Sequence, residues 1–379
     1  MIRLKPISQA GYDFDHIVGT GGIGSGIFFS MNRNDTLGRN ESRMATLLPY
    51  EDFCKQHIIM HYISILLGAE VNGDFQAFPI GKVGNDEIGK KLVHKLRAVG
   101  MDTKHVNVSG DCSTLFSVCY QYPDGTGGNI TTDGSASSKV TPENISLFFE
   151  EFNLSGAKEV ILAAPEVPIG TRIKLLEYGR KRKSLNIASI LSSEVDEFMQ
   201  MHGFEMVDIL SINIDEARNV AEISDDDPSS KIIIDACVRK LKNINQSIRI
   251  LITDGPHGSY CYTNNYLEFT PILEVPVIST AGAGDSFLAG TIAGLICGLP
   301  LVKGTGSDHF AELPLQCAVE LGTLLASLSV TSPDTIHSTA NAGLLYRFAM
   351  KNKVRFGDDF LKLFRDCKTS IKNNRGKIQ

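Results

Sequence analysis

From Glu159 onward, short apolar runs alternate with longer stretches whose apolar positions recur every three or four residues. The runs Glu159–Ala163, Asn186–Leu191, Val207–Ser211 and Ile248–Thr253 predict buried strands. The stretches Ile169–Lys181, Glu194–Met201 and Ile214–Ala221 predict helices. Strand and helix in succession predict a parallel sheet with helices on both faces. The chain begins in the same way. A strand at Asp15–Val18 runs into the glycine-rich turn Gly19–Gly26, Phe53–Leu67 predicts a helix ended by Gly68, Phe75–Ile80 a strand, and Asp86–Ala98 a helix ended by Gly100.

Four segments break this rhythm. Ile27–Met31 and Met44–Leu48 flank a polar loop, and Leu115–Tyr120 and Asn129–Thr132 flank Pro123-Asp124-Gly125, a strong hairpin signal. These pieces, from about 27–48 and 115–132, predict a small accessory sheet that covers the open end of the main sheet as a lid. Residues 1–345 then form one domain, and the helical, basic stretch 346–379 reads as a solvated appendage. Asp225 to Ser230 reads as a surface loop.

Composition narrows the function. Hydrophobic residues make up 42% of the 379, no apolar run can span a bilayer, and Met1–Asp15 lacks a secretory leader pattern. A net charge of −6 argues against a broad nucleic-acid surface. The eight cysteines show no paired spacing and read as reduced thiols of a cytoplasmic protein.

The stretch from Ser279 to Phe287 carries the chemistry. A β-branched segment, Ile272–Ile278, leads in, and an apolar helical pattern, Phe287–Cys297, leads out. The small residues Ala281, Gly282, Ala283 and Gly284 let amides crowd at a helix start, where unpaired N–H groups and the helix dipole attract anions. A carboxylate there, Asp285, is repelled by such an anion and suits a proton acceptor in phosphoryl transfer. An ordinary capped helix with an acid in its first turn reads the same way.

Other motifs leave alternatives open. Gly19-Thr20-Gly21-Gly22-Ile23-Gly24 fits G-x-G-x-x-G after a strand, yet the residues that follow favour a strand, which weakens a dinucleotide reading. Asn213 and Glu216, after a strand, offer hard oxygens for a hydrated Mg²⁺, or form a capping box. Thr253, Gly255 and Gly258 form a turn fit to contact a nucleotide, or an ordinary strand connection. No GxxxxGK[ST] is present.

Taken in order, these pieces resemble the ribokinase-like (PfkB-type) carbohydrate kinase family over roughly residues 14 to 345. Thr280–Asp285 is similar to its DTxGAGD signature, Asn213–Glu216 to its NxxE motif, Thr253–Gly258 to its nucleotide-side turn, and Gly81–Gly89 to its GxxGxDxxG segment. The resemblance implies a three-layer α/β/α sandwich with a mostly parallel sheet and a β-sheet lid. It implies Asp285 as base, the 281–284 amides as anion hole, and ATP and Mg²⁺ as cofactors. Asn213 and Glu216 would serve the metal. Thr253, Gly255, Gly258 and Asn341 would lie near the nucleotide, and Gly21, Gly22, Lys82 and Glu166 on the acceptor side.

The sequence departs from the family in three places. Ser279 replaces the signature's first Asp, no Asp follows the first strand, and Cys54-Lys55-Gln56 stand where GG-x-x-x-N is usual. The expectation is a kinase for a hydroxyl of a small sugar-like acceptor, with a homodimer through the lid edges. The alternatives are a non-catalytic binder of the same fold, a nucleoside kinase and a dinucleotide oxidoreductase. Arg33, Arg39 and Arg43, in the first lid loop, either clamp an anionic acceptor or are simply solvated.

Overall fold

The computed structural model describes residues 2–367 except 125–126, 153–157, 225–228 and 305–308. In chain order the elements are β1 (His16–Thr20), β2 (Gly24–Met31), β3 (Ala45–Phe53), α1 (Lys55–Leu67), β4 (Gln76–Gly84), α2 (Glu87–Ala98), β5 (Val106–Ser109), β6 (Leu115–Gln121), β7 (Gly127–Thr131), α3 (Pro142–Glu151), β8 (Glu159–Ala163) and α4 (Ile169–Arg182). There follow β9 (Leu185–Ser189), α5 (Val195–Gln200), β10 (Ile209–Asn213), α6 (Ile214–Ala221), α7 (Ser230–Ile244), β11 (Arg249–Thr253), β12 (Ser259–Thr263), β13 (Tyr266–Thr270), α8 (Ala283–Ile296), α9 (Ala318–Ser329), α10 (Ala342–Lys351) and α11 (Asp358–Leu363).

Among the described residues the main sheet has nine strands in the order β13-β12-β11-β10-β9-β8-β1-β4-β5. It is parallel from β11 to β5, and β12 and β13 add an antiparallel edge. Strands such as β1 and β8 are buried at every residue, because helices cover both faces. One core holds α1, α8, α9 and α10; the other holds α4, α6 and α7. The helix α7 shows how the pattern works: Ile233, Ile234, Cys237 and Leu241 form its buried stripe.

The lid is a separate four-stranded sheet, β3-β2-β6-β7. β2 pairs antiparallel with β3 and parallel with β6, and β6 pairs antiparallel with β7, as a hairpin requires. The hairpin tip at Gly125 lies outside the described residues, as does most of the acidic loop from Asp225.

The β-branched segment Ile272–Ile278 forms no strand, since Pro271 and Pro276 remove ladder donors and Val277 and Ile278 are exposed. Helix α8 begins at Ala283, within the small-residue stretch expected at a helix start, and carries the apolar pattern from Phe287. The tail to residue 367 is no solvated appendage: Phe360, Leu363 and Phe364 are buried in the same core as α1 and α8, and Lys5 N–H donates to the Leu363 carbonyl. No helix among the described residues is long and apolar enough to cross a membrane.

Candidate active site

The parallel strands β10 and β11 end side by side, with Asn213 in register with Thr253. Above these ends lies a cavity of about 820 Å³, walled by the Asp254–Ser259 turn, the loop before α8, the start of α8 and one face of α9. The C-terminal ends of parallel strands are where an open α/β sheet leaves a crevice for ligands.

The floor is the turn into α8. Gly282 caps the helix with φ +75°, and a Cβ there would lie 2.7 Å from the Thr335 carbonyl oxygen, so the turn requires glycine. Two of the four amides expected in the anion hole are used internally. Ala281 N–H donates to Ser279 Oγ (3.3 Å) and Ala283 N–H to the Thr280 carbonyl (3.2 Å). Among the described residues Gly282 and Gly284 have no such partner, which leaves their N–H groups for an anion at the positive end of a 14-residue helix.

Asp285 lines the cavity in the first turn of α8. Burial pushes its carboxyl up to about 6, with the Glu216 and Asp52 carboxylates adding to the rise and the Lys55 ammonium opposing it. At neutral pH it is largely ionised, yet basic enough to take a proton from a hydroxyl.

Asn213 and Glu216 form a capping box at the start of α6. Asn213 Oδ1 accepts from Glu216 N–H (2.8 Å), and Glu216 Oε2 accepts from Asn213 N–H (2.8 Å). Lys55 Nζ lies 3.2 Å from the remaining oxygen, Glu216 Oε1. These donors are committed to partners within the chain and do not form a preformed direct metal site. Among the described residues no group of three or more His, Cys, Asp or Glu could hold a metal ion.

Thr253, Gly255 and Gly258 line the cavity wall, with His257 exposed beside them. Asp254 N–H donates to the Gly258 carbonyl (2.8 Å), and Gly258 has φ +99° with a Cβ position 2.6 Å from the Thr270 carbonyl. Asn341 does not line the cavity. It caps α10, where its Oδ1 accepts from Leu344 N–H (3.0 Å).

On the acceptor side Gly21, Gly22 and Glu166 come together. A Cβ on Gly21 would meet Gln56 and Ala164 at 2.8 Å, and one on Gly22 would lie 2.5 Å from Glu166 Oε2. Glu166 has φ +74°, unusual for a residue with a side chain, and its Oε2 is buried with no hydrogen-bond partner. Burial raises its pKa to about 7 against the pull of the Cys54 thiol and Lys55. Lys82 does not join them; its Nζ donates to the Lys139 carbonyl (2.5 Å). The glycine run at Gly19–Gly24 passes into strand β2, so the helix that a dinucleotide fingerprint needs is missing.

Two site residues escaped the sequence reading. Lys55 stands at the start of α1 and lines the cavity. The signal was a lone cation opening an otherwise apolar helical stretch. Asp52, on lid strand β3, is close enough to raise the proton affinity of Asp285. Nothing in the sequence marks it, because a lid strand's inward face depends on how the lid folds over.

Asp285 in the first turn of α8, with the Gly282 and Gly284 amides unpaired among the described residues, borders a cavity over the strand ends that is large enough for a small-molecule ligand. The pfkB family carbohydrate kinase pattern matches residues 64–342, well over half of the chain, and the chain belongs to that family, with an alcohol group as phosphate acceptor. It is 25% identical over 266 residues to the bifunctional ribokinase/ribose-5-phosphate isomerase A of Fructilactobacillus sanfranciscensis, covering 69% of this chain and 47% of that protein. It therefore spans about half the length of that relative. It is 23% identical over 257 residues to the ribokinase of Staphylococcus aureus, covering 66% of this chain and 75% of that protein. The fold is ribokinase-like. The structure of ribokinase from Cryptococcus neoformans var. grubii serotype A in complex with ADP matches with a TM-score of 0.68 at 17% identity, over 88% of this chain and 99% of that one.

Proposed function

We propose that this chain transfers the γ-phosphoryl group of ATP to a hydroxyl of a sugar or sugar-derived acceptor. The nucleotide occupies the cavity over β10 and β11, between the Asp254–Ser259 turn and α9, and enters as its Mg²⁺ complex. The turn at 281–284 holds the transferred group, with the Gly282 and Gly284 amides as its free donors. Asp285 takes the proton of the attacking hydroxyl. The acceptor lies between the lid and the surface formed by Gly21, Gly22 and Glu166, placing its hydroxyl between Asp285 and the γ-phosphate for in-line transfer.

The observation that carries this reading is the position of Asp285, on the cavity wall in the first turn of α8 with a pKa near 6. The test is ATP consumption over a panel of neutral sugars, sugar acids and nucleosides. Turnover on a sugar supports the assignment, turnover on nucleosides alone moves the acceptor class, and ADP binding without turnover on any acceptor favours a non-catalytic binder. That second reading draws on Cys54, Lys55 and Gln56, which stand where the family places its acceptor-gripping segment.

A cytoplasmic location fits the eight free cysteines. A homodimer through the lid fits the exposed Leu47 on edge strand β3 and Ile130 on edge strand β7. Light scattering on the intact chain would reveal whether it dimerises.

A further inference from the structure

Lys55 is the first residue of α1, a position where the helix dipole disfavours a cation, and no acidic residue accompanies it in that turn. Its backbone is nonetheless firmly placed. The next side chain, Gln56, donates through Nε2 to the Gly19 carbonyl at the end of β1 (3.1 Å), and the following turn of α1 is buried. The ammonium therefore projects from a rigid element into the cavity that holds Asp285 and Glu216. It lies 3.2 Å from Glu216 Oε1, the one oxygen of that carboxylate outside the capping box. Burial disfavours its charge, but Asp285, Glu216 and Glu166 outweigh burial and hold it protonated.

A second change has the same sign. Ser279, before the anion-binding turn, uses its hydroxyl to accept from Ala281 N–H and brings no charge to a place where the family signature has an acid. Relative to that signature, the site has lost an anion at 279 and gained a cation at 55. Both changes lower its attraction for a free divalent ion, and both raise its attraction for phosphate oxygens.

The geometry points to Lys55 as the fixed cation of the phosphoryl-transfer site: it takes the place beside Glu216 that a protein-held divalent ion would need, and it contacts the nucleotide's terminal phosphate oxygens. This rests on the kinase reading above. It follows that the protein by itself holds no divalent ion at Glu216, and that metal arrives only with the nucleotide.

The experiment compares the wild type with Lys55→Met and Lys55→Arg. Mn²⁺ binding to the nucleotide-free protein is read by the electron paramagnetic resonance signal of free Mn²⁺. ADP binding is read by thermal shift, and turnover by ATP consumption. The expected result is that Lys55→Met binds Mn²⁺ at least about 10-fold more tightly than the wild type. Its kcat falls about 100-fold with the KM for ATP nearly unchanged, while Lys55→Arg keeps most of the activity. Lys55→Gln carries the same expectations should the Met variant fail to fold. Equal Mn²⁺ affinity in wild type and Met variant, or an unchanged kcat in the Met variant, overturns the inference while leaving the kinase assignment standing. A wild type that neither binds ADP nor consumes ATP overturns both.

Discussion

The two halves of the site are built from different materials. On the proposed nucleotide side the groups are largely backbone: the amides at 282 and 284, the turn that depends on Gly258, and the helix start fixed by Gly282. Few residue types satisfy those geometries, so the sequence there is constrained to a pattern. On the proposed acceptor side the groups are side chains from separate places: Glu166 after β8, Gln56 in the first turn of α1 and Asp52 on the lid, while Lys55 stands between the halves beside Glu216. No fixed spacing joins them in the sequence. On the proposed reading, the contrast teaches that phosphoryl transfer is written in the chain's turns, whereas the choice of acceptor is written in tertiary contacts.

The strongest way to break this comparison lies at Asp285. Asp285→Asn removes the base and keeps the shape. The expected outcome is a fall in kcat of about 10³-fold with ADP binding retained. Turnover within about tenfold of the wild type would mean that the chemistry lies elsewhere. The same carboxyl sets a pH dependence. Because its pKa is raised to about 6, it is protonated and unable to act as base below that pH, so kcat/KM should fall as pH drops through about 6 and stay level above it. A limb near 4 would mean that the burial and the neighbouring carboxylates described here do not act on it in solution.

Next in size is Gly282→Val. The side chain would meet both a positive φ and the Thr335 carbonyl at 2.7 Å, so the turn must shift and carry its amides with it. A fall in kcat of about 10²-fold is expected, with a weaker hold on ADP. A variant that keeps full activity would show that the amides are not the anion's partners.

How far the sequence reaches follows the same divide. The strand Glu159–Ala163 and the helix Ile214–Ala221 occur as predicted, the first as a short continuous apolar run buried on both faces, the second as a periodic stretch opened by the Asn213 cap. Helix α7 has an equally regular stripe, but it follows an acidic stretch and went unrecognised. In the site, the Gly282–Asp285 turn was legible from spacing alone. Lys55 was visible only as an anomaly, and Asp52 not at all. Asn341 and Lys82 were drawn in by resemblance, and the structure gives them a helix cap and a carbonyl contact instead.

The acceptor side offers a sharper, smaller test at Glu166. Its strained backbone and orphaned Oε2 are maintained against their cost, which is reasonable if an acceptor hydroxyl donates to that oxygen. Glu166→Ala should raise the KM for the acceptor about tenfold, change kcat little and leave ADP binding alone. A loss of ADP binding instead would place Glu166 on the nucleotide's side and blur the division between the two halves.

The smallest effect is expected in the lid loop between β2 and β3. Arg43 is committed within that loop: its guanidinium lies 2.8 Å from Asp35 and 2.5 Å from Glu41, and only 7% of its side chain is exposed. Arg33 reaches toward Asp35 at 3.5 Å, and none of Arg33, Arg39 and Arg43 lines the cavity. To clamp an anionic acceptor, Arg43 would have to exchange two carboxylates already in place for one from solution, with little gain in charge interaction. Ion pairs confined to an exposed loop stabilise little, so replacing all three by Ala should change the KM for a sugar acid less than about threefold and lower stability only slightly. A tenfold rise in KM for sugar acids, with neutral sugars unaffected, would mean that the loop abandons its internal pairs and closes on the substrate. Acceptor choice would then move from the floor of the site to its lid.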